Sequence, residues 1–414
     1  MLRLSWLTII RQPVRTALAV LGVAAVGALL FDMLLLSRGL VLSFRDLLDR
    51  AGFDIRVLAT DAPLFTGPRI PNATGVAFTI ARLPEVEAVL QLRLRDAVLV
   101  EDGRPAATPP PDGSVQRIES PGQTDTIDLI GVDPAVRPMW TPVEGTDLPR
   151  VAAAAPAVVI NSRLARSAHL ATGGLLQLRC GDKGSALPPA TFVISGIVDF
   201  PFDDAGARTA ATSLDDIARL CGETNDDRSE ILLVRSRAGA GAGVAAAAIH
   251  AALPHLHVVT NEELVERFSR VEFSYFRQIS VVLATVTLFF GFLLIAVLLT
   301  VSVNQRLGEV AALRALGFSR WRVVAGVLIE SVILVFTGGL LAIPLGAALS
   351  LWLDDILRAM PGVPADLHFF AFEPRALVLH VALLAVAALA AAAYPMRIVG
   401  TLPIAATLRR EVVS

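Results

Sequence analysis

The 414-residue sequence contains a single lysine, Lys183, and only two cysteines, Cys180 and Cys221. A Walker-type phosphate loop needs a lysine that follows glycine and precedes serine or threonine. Lys183 follows Asp182 and precedes Gly184, so the chain contains no ATPase site of this kind. The formal net charge is only −2, which gives no basic field of the sort that binds nucleic acid.

Clusters of catalytic or metal-ligating residues are also lacking. His250, His255 and His257 lie close together in the sequence, but no cysteine or acid at ligand spacing accompanies them. Cys180 and Cys221 do not have the C-x-x-C spacing of zinc or redox sites, and their spacing leaves a disulfide and two buried thiols both open. We therefore predict no catalytic residue, no metal and no cofactor in this chain.

Apolar residues make up 54% of the sequence, and the excess lies in a few long runs. A helix needs about 20 residues to cross the hydrocarbon core of a bilayer. The predicted spans cover residues 16–40, 275–303, 323–353 and 376–395. The first run is longer than the apolar core of a signal peptide, which favours an uncleaved span. The second is long enough to extend beyond the bilayer as a stalk.

Arginine is concentrated in the short stretches outside these spans, at residues 1–15, 304–322 and 396–414. With four spans, all three stretches fall on one side of the membrane. Basic residues near span ends mark the cytoplasmic side, so we expect both termini in the cytoplasm. The insert 41–274 and the short loop 354–375 are then extracytoplasmic, where a disulfide is permitted.

The insert alternates runs rich in strand-forming residues with helical signals. Ser213 with Asp216, and Thr260 with Glu263, have the spacing of helix-capping pairs, and a further helix is predicted over Gly243–Leu253. The predicted strands are Asp54–Ala59, Val86–Val100, Thr126–Val132, Ala157–Ile160, Leu175–Arg179, Thr191–Val198 and Ile231–Val234. The expected fold is therefore an α-helical membrane protein with four transmembrane helices and a mixed α/β extracytoplasmic domain between helices 1 and 2.

Polar and helix-breaking residues inside the spans are further candidates for function. Asp32 lies in the first span and Glu330 in the third, and an acid within a membrane is by default a functional candidate. The alternatives are that Asp32 reaches the membrane surface near Arg38, and that Glu330 is a structural partner within the helix bundle. Pro344 and Gly346 in the third span predict either a gating hinge or a static kink.

The pattern E-x-x-x-L-R-A-L-G occurs once between the second and third predicted spans, at Glu309, Leu313, Arg314, Ala315, Leu316 and Gly317. This segment resembles the signature of the FtsX/MacB/Lol-type family of ABC transporter permeases. The stretch from Tyr394-Pro395 to Leu408-Arg409 is similar to the family's terminal element, with Thr407 where alanine is usual. Gln12-Pro13-Val14-Arg15-Thr16 is similar to N-P-x-R-T, and Val158–Leu178 with Ser195–Val198 is similar to the family's extracytoplasmic core.

The resemblance implies a mechanism in which residues 304–322 form a coupling helix that docks on a separate ATPase. The residues expected to make this contact are Arg306, Glu309, Arg314, Gly317 and Arg320. For Glu309 and Arg314 the alternative is that they pair with each other or with lipid headgroups, and Gly317 also suits a helix stop. ATP and magnesium would be bound by a dimer of ATPase subunits.

The resemblance also implies a second permease copy or paralogue, contact with membrane lipid, and a location in the bacterial cytoplasmic (inner) membrane. The expected activity is export or extraction of an amphipathic substrate at the outer face of the membrane, with a periplasmic adaptor as a further partner. Two other functions remain open. One is a mechanotransmission complex that moves no substrate and switches an envelope enzyme, and the other is a membrane sensor or receptor.

Overall fold

The computed structural model describes residues 13–62, 67–100, 126–150, 155–181, 184–270, 274–304, 319–360, 363–370, 372 and 374–401. The chain divides into two compact units, each treated separately below. The membrane unit comprises Met1–Ser43, Ser269–Leu357 and His368–Ser414. The α/β unit comprises Phe44–Phe268 and Arg358–Leu367.

Four helices of the described chain are long and apolar enough to cross a membrane. They are α1 (Pro13–Arg50), α7 (Ser274–Asn304), α8 (Arg320–Arg358) and α9 (Pro374–Thr401). Helix α1 continues past its predicted end at residue 40, because the following stretch contains neither glycine nor proline. It ends just before Gly52, whose φ of +75° suits the residue that follows a helix.

Small residues let the membrane helices approach closely. A Cβ placed on Gly338 of α8 would lie 2.7 Å from the Cβ of Val23, and one on Gly27 would lie 2.7 Å from the Cβ of Ala342. Helix α9 contributes Ala391 and other alanines to the same buried cluster as Val23. Close backbone approach is how helices associate in lipid, where no hydrophobic force drives them together.

The α/β unit contains a 10-stranded sheet and several short helices. Its strands are β1 (Ile55–Leu58), β2 (Ile70–Pro71), β3 (Val86–Leu99), β4 (Thr126–Val132), β5 (Thr141–Gly145), β6 (Ala157–Asn161), β7 (Leu175–Cys180), β8 (Ala190–Asp199), β9 (Thr209–Ser213), β10 (Arg228–Ser229), β11 (Ile231–Ser236) and β12 (His257–Thr260). Its helices are α2 (Ala73–Ala81), α3 (Ser162–Ser167), α4 (Leu214–Leu220), α5 (Ala242–Ala252) and α6 (Asn261–Arg270).

The main path of the sheet runs β12-β1-β11-β3-β4-β9-β6-β8-β5, while β2 and β10 form a separate pair. Strand β3 is long enough to pair with three neighbours, since its first half pairs with β11, its second half with β4, and Ala97–Leu99 also with β7. Because β7 pairs in turn with β8, strands β3, β4, β9, β6, β8 and β7 close into a ring. The expected mixed α/β fold class is confirmed.

Both capping pairs read from the sequence are present. The Ser213 hydroxyl accepts a hydrogen bond from the Asp216 N–H at 3.1 Å, and the Thr260 hydroxyl accepts one from the Glu263 N–H at 3.2 Å. Strands β2, β5, β9, β10 and β12 were not among the predicted strands. Strands β2 and β10 have only two residues each, β5 contains a proline, and β9 is largely alanine and threonine, which gives a weak strand pattern.

Part of the loop between α8 and α9 packs with the α/β unit. The N–H of Ala365 donates to the carbonyl of Asp203 at 2.7 Å, and Asp204 forms an isolated β-bridge with Pro364. The loop predicted over residues 354–375 is therefore divided, with Arg358–Leu367 assigned to the α/β unit. This packing agrees with the expectation, from four spans, that the loop and the insert lie on the same side of the membrane.

Candidate functional site

The predicted coupling segment falls mostly outside the described residues, and this includes Arg306, Glu309, Arg314 and Gly317. Arg320 is the first residue of α8. Glu330 belongs to the same helix, and its side chain is outside the described set. The docking role of these residues stays a prediction.

Asp32 is fully buried between membrane helices. Its Oδ1 accepts a hydrogen bond from the hydroxyl of Ser350 on α8 at 2.6 Å. The alternative in which the carboxyl group reaches the membrane surface does not match this position, because the nearest donor lies inside the bundle. Among the described residues, Oδ2 has no hydrogen-bond partner. Asp32 therefore links α1 to α8 through Oδ1. Its Oδ2 is a buried acceptor without a hydrogen bond in this part of the structure, which is uncommon for a buried polar atom.

Gly346 lies one turn from Ser350 on the face of α8 that contacts α1. A Cβ at this position would lie 3.0 Å from the carbonyl oxygen of Ala28 and 3.0 Å from the ring of Phe31. Pro344 is exposed, and α8 is assigned as helix from Arg320 to Arg358 without interruption. The structure thus gives Gly346 a packing contact, while a hinge at this pair stays a prediction.

A second polar cluster, not foreseen from the sequence, lies one turn beyond Ser350 near the C-terminal end of α8. Asp354 is 3% exposed; its Oδ1 accepts the N–H of Phe369 at 2.7 Å, and its Oδ2 lies 2.8 Å from Nδ1 of His368. The N–H of His368 donates to the hydroxyl of Ser43 on α1 at 2.7 Å. These bonds fix the chain that enters α9 against both α1 and α8. The pair Asp354-Asp355 at the end of an apolar run was the signal available in the sequence.

A cavity of about 750 Å³ opens on one face of the sheet in the α/β unit. Its floor follows the strand register, because directly paired residues point to the same face. Arg56 pairs with Leu233, Ile231 with Leu92, and Leu94 with Ile130. The next pairs across the sheet are Asp96 with Asp128 and Asp128 with Thr209. The floor of the cavity thus has the guanidinium group of Arg56 at one end, apolar side chains in the middle and carboxyl groups at the other end.

Arg56 is 4% exposed, and its Nη1 donates a hydrogen bond to the side-chain oxygen of Asn261. No ion pair to Arg56 occurs within the described ranges. The nearby carboxylate of Asp49 contacts the Asn261 amide at 3.4 Å instead. Burial lowers the pKa of Arg56 to about 10, so the guanidinium remains charged at neutral pH.

Two other titratable groups of the cavity, Arg95 and Asp203, have hydrogen-bonding partners. Arg95 donates to Glu223 at 2.5 Å and to Glu230 at 2.7 Å. Asp203 accepts hydrogen bonds from Thr209 at 2.7 Å and from Asn161 at 2.6 Å. Burial raises the pKa of Asp203 to about 6 despite these donors.

The structure joins Cys180 and Cys221 in a disulfide. Cys180 ends β7 and Cys221 follows α4, so the bond ties this helix to the ring of strands. Within the described ranges, no three His, Cys, Asp or Glu side chains converge on a possible metal site.

Four apolar helices and a large α/β insertion define a multi-span membrane protein. Residues 281–404 match the sequence model of the family described as FtsX-like permease C-terminal, which confirms the resemblance seen in the sequence for this part of the chain. The match includes the segment between α7 and α8. No curated protein matched the sequence.

Three of the solved structures that are similar to the chain are domains of other proteins. One is the periplasmic region of MacB from Actinobacillus actinomycetemcomitans, with 11% identity, TM-score 0.38, and coverage of 53% of this chain and 94% of that one. Another is the extracellular domain of the ABC-type transporter YknZ from Gram-positive bacteria, with 10% identity, TM-score 0.32, and coverage of 50% and 99%. A third is a domain of a permease protein from Porphyromonas gingivalis, with 17% identity, TM-score 0.31, and coverage of 50% and 89%.

Proposed function

We propose that this chain is the permease subunit of an ABC transporter, working with a separate ATPase in export or extraction of an amphipathic substrate at the outer face of a bacterial cytoplasmic membrane. The observation that carries the proposal is the family match over residues 281–404. The absence of a Walker lysine agrees with ATP hydrolysis by a partner, which would bind both ATP and magnesium.

The proposed coupling follows the order of the helices. Residues 305–319 connect α7, which ends at Asn304, to α8, which begins at Arg320. An ATPase dimer that closes beneath this segment would act on both helices at once. Helix α8 is tied to α1 through Asp32 and Ser350, and α1 and α7 flank the α/β insertion in the chain.

The proposed assembly contains two permeases, identical or paralogous, because a dimeric ATPase offers two equivalent docking sites. The substrate would approach from the outer leaflet or the periplasm, and a periplasmic adaptor is compatible with this arrangement. Membrane lipid would surround the four spans whether the two permeases are identical or paralogous.

The test is a mild-detergent pull-down of the tagged chain from its native host, with the eluate assayed for ATP hydrolysis. The wild type is compared with Glu309→Ala/Arg314→Ala in the segment between α7 and α8. A matched control is Arg45→Ala/Glu262→Ala, which removes an exposed acid–arginine pair of the α/β unit whose charged atoms are 3.6 Å apart. We expect ATPase activity to co-purify with the wild type and the control and to be lost in the first variant.

An eluate without an ATPase would overturn the proposal in favour of a membrane receptor. A co-purifying ATPase that no amphipathic substrate stimulates, found together with a hydrolase, would favour mechanotransmission to an envelope enzyme. Equal retention of the ATPase by both double variants would move the docking surface away from Glu309 and Arg314.

A further inference from the structure

The 750 Å³ cavity of the α/β unit contains a buried positive charge that has no anionic partner among the described residues. Transfer of an ion from water to a protein interior is unfavourable unless it is paired. Arg56 is 4% exposed, and its hydrogen bond to Asn261 is to a neutral amide. The cavity lies within the size range of ligand pockets, about 300–1,000 Å³.

The surroundings of this charge are apolar. Leu233, Ile231, Leu92 and Leu94 line the floor between Arg56 and the acidic end. Further apolar side chains line the cavity, and they are Phe44, Leu48, Leu264, Phe268, Phe200 and Met139. From β1 to β4 is a distance of three strand spacings, or roughly 14 Å. The cavity therefore offers a long apolar surface with a cationic group at one end.

The acidic end of the floor does not need a ligand in the same way. Asp96 and Asp128 are exposed, so water reaches both carboxyl groups. Partial burial and the adjacent acid Asp96 raise the pKa of Asp128, so proton uptake as well as hydration relieves the repulsion there. Asp203 is already hydrogen-bonded by Thr209 and Asn161. A cationic ligand would therefore replace water at exposed carboxyl groups, whereas an anionic ligand would supply the counter-charge that the buried Arg56 lacks.

We propose that this cavity binds an anionic amphiphile, with its carboxylate or phosphate at Arg56 and its apolar chain along Leu92, Leu94, Ile231 and Leu233. Guanidinium groups suit both head groups because their N–H donors match pairs of anionic oxygens. The inference rests on the proposed function, for which it names the chemical class of the amphipathic substrate. The ATPase pull-down probes a different part of the chain, so either test can fail without the other.

The test uses the full chain in phosphatidylcholine nanodiscs and the fluorescent fatty acid cis-parinaric acid. Trp140 is a suitable energy donor, because its ring centroid is 5.2 Å from that of Phe200, which lines the cavity. Signal from probe in the bilayer is measured with Trp140→Phe and subtracted. The comparison ligands are the methyl ester, which keeps the chain without the charge, and dodecylamine as a cationic competitor.

We expect the wild type to bind the acid at least tenfold more tightly than the ester, and Arg56→Gln to lose this preference. Arg56→Lys, which keeps the charge, should retain most of it. Arg93→Gln is the matched control, since Arg93 is 5% exposed and is adjacent to Leu92 in β3 but points to the opposite face of the sheet. Its Nη2 donates to the carbonyl of Asp226 at 2.6 Å.

Competition by dodecanoate or by lysophosphatidylglycerol then distinguishes a free fatty acid from a phospholipid as the source of the anionic group. Equal binding of acid and ester by the wild type would overturn the proposal, and this comparison does not depend on the folding of any variant. Stronger competition by dodecylamine would assign the cavity to a cationic amphiphile instead, and an unchanged preference in a folded Arg56→Gln would remove Arg56 from the site.

Discussion

Asp32 on α1 accepts a hydrogen bond from Ser350 on α8 at 2.6 Å, across 318 positions of sequence. Ser350→Ala leaves the buried carboxyl group without its donor, so we expect a loss of about 1–3 kcal/mol in the free energy of unfolding. Chemical unfolding in mixed micelles measures this loss in the free energy of unfolding. Thr337→Ala is the control, because this exposed hydroxyl bonds only to the carbonyl of Ile333 in its own helix. Equal losses in both variants would mean that the hydrogen bond between Asp32 and Ser350 stabilises the protein no more than an exposed hydroxyl within one helix does.

The contact at Gly346 gives a second prediction. Gly346→Val places side-chain atoms against the carbonyl oxygen of Ala28, which cannot move without shifting α1. We expect a destabilisation of about 1–3 kcal/mol from overpacking and separation of the two helices. Gly339→Ala is the matched control, since the nearest atom there is the mobile end of the Leu384 side chain at 3.2 Å.

Cysteine cross-linking between α1 and α8 reads out the separation directly, with the pair Ala28→Cys and Ala347→Cys introduced into both glycine variants. Cross-linking should slow in Gly346→Val and remain near the wild-type rate in Gly339→Ala. An unchanged rate in Gly346→Val would show that α8 accommodates the extra methyl groups without moving away from α1.

The sequence predicts local elements well and distant partners poorly. The strands that alternate regularly and the capping pairs at Ser213 and Thr260 were predictable, because their signals lie within a few residues. The parallel pairing of Asp128 with Thr209, and hence the floor of the cavity, was not, because strand order depends on contacts far apart in sequence. Arg56 was placed in a strand, but its burial depends on which elements cover that face.

The same reasoning applies to the intramembrane site. Asp32 was recognised as a candidate from its position in an apolar run, while Ser350 was not, since serine is common in such runs and the pairing is decided by helix packing. The coupling residues were assigned through resemblance to a family, and residues 304–322 alone do not have a clear amphipathic period. For that segment, the match over residues 281–404 supports the family assignment and leaves individual roles to experiment.

Asp203 predicts a specific dependence of stability on pH. Burial raises the pKa of Asp203 from its ordinary value of 3.8 to about 6 in the folded protein. The folded state therefore binds the proton more tightly than the unfolded state, so this group's contribution to stability falls as the pH rises from about 4 to 6. The full change is roughly 2–3 kcal/mol, from two pKa units at 1.36 kcal/mol each.

The measurement is chemical unfolding of the α/β unit in the full chain, followed by circular dichroism from pH 4 to 7. The difference in free energy of unfolding between wild type and Asp203→Asn should vary across this range and level off above about pH 6.5. Asp133→Asn, which replaces an exposed acid of the same unit, serves as the control for the removal of one carboxyl group. A flat difference for Asp203→Asn would contradict the raised pKa of Asp203 in the folded protein.

The disulfide between Cys180 and Cys221 closes a loop with a sequence separation of 41. In the chain-entropy account, a cross-link of this length stabilises the folded state by about 4 kcal/mol, chiefly by restricting the unfolded chain. Cys180→Ser/Cys221→Ser should lower the stability of the α/β unit by roughly 2–4 kcal/mol, and reduction of the wild type should lower it equally. Reductant should leave the double variant unchanged, because no other cysteine is present in the sequence. Retention of full stability on reduction would mean that the packing of α4 against the strands, through Ile217 and Leu220, holds this region without the cross-link.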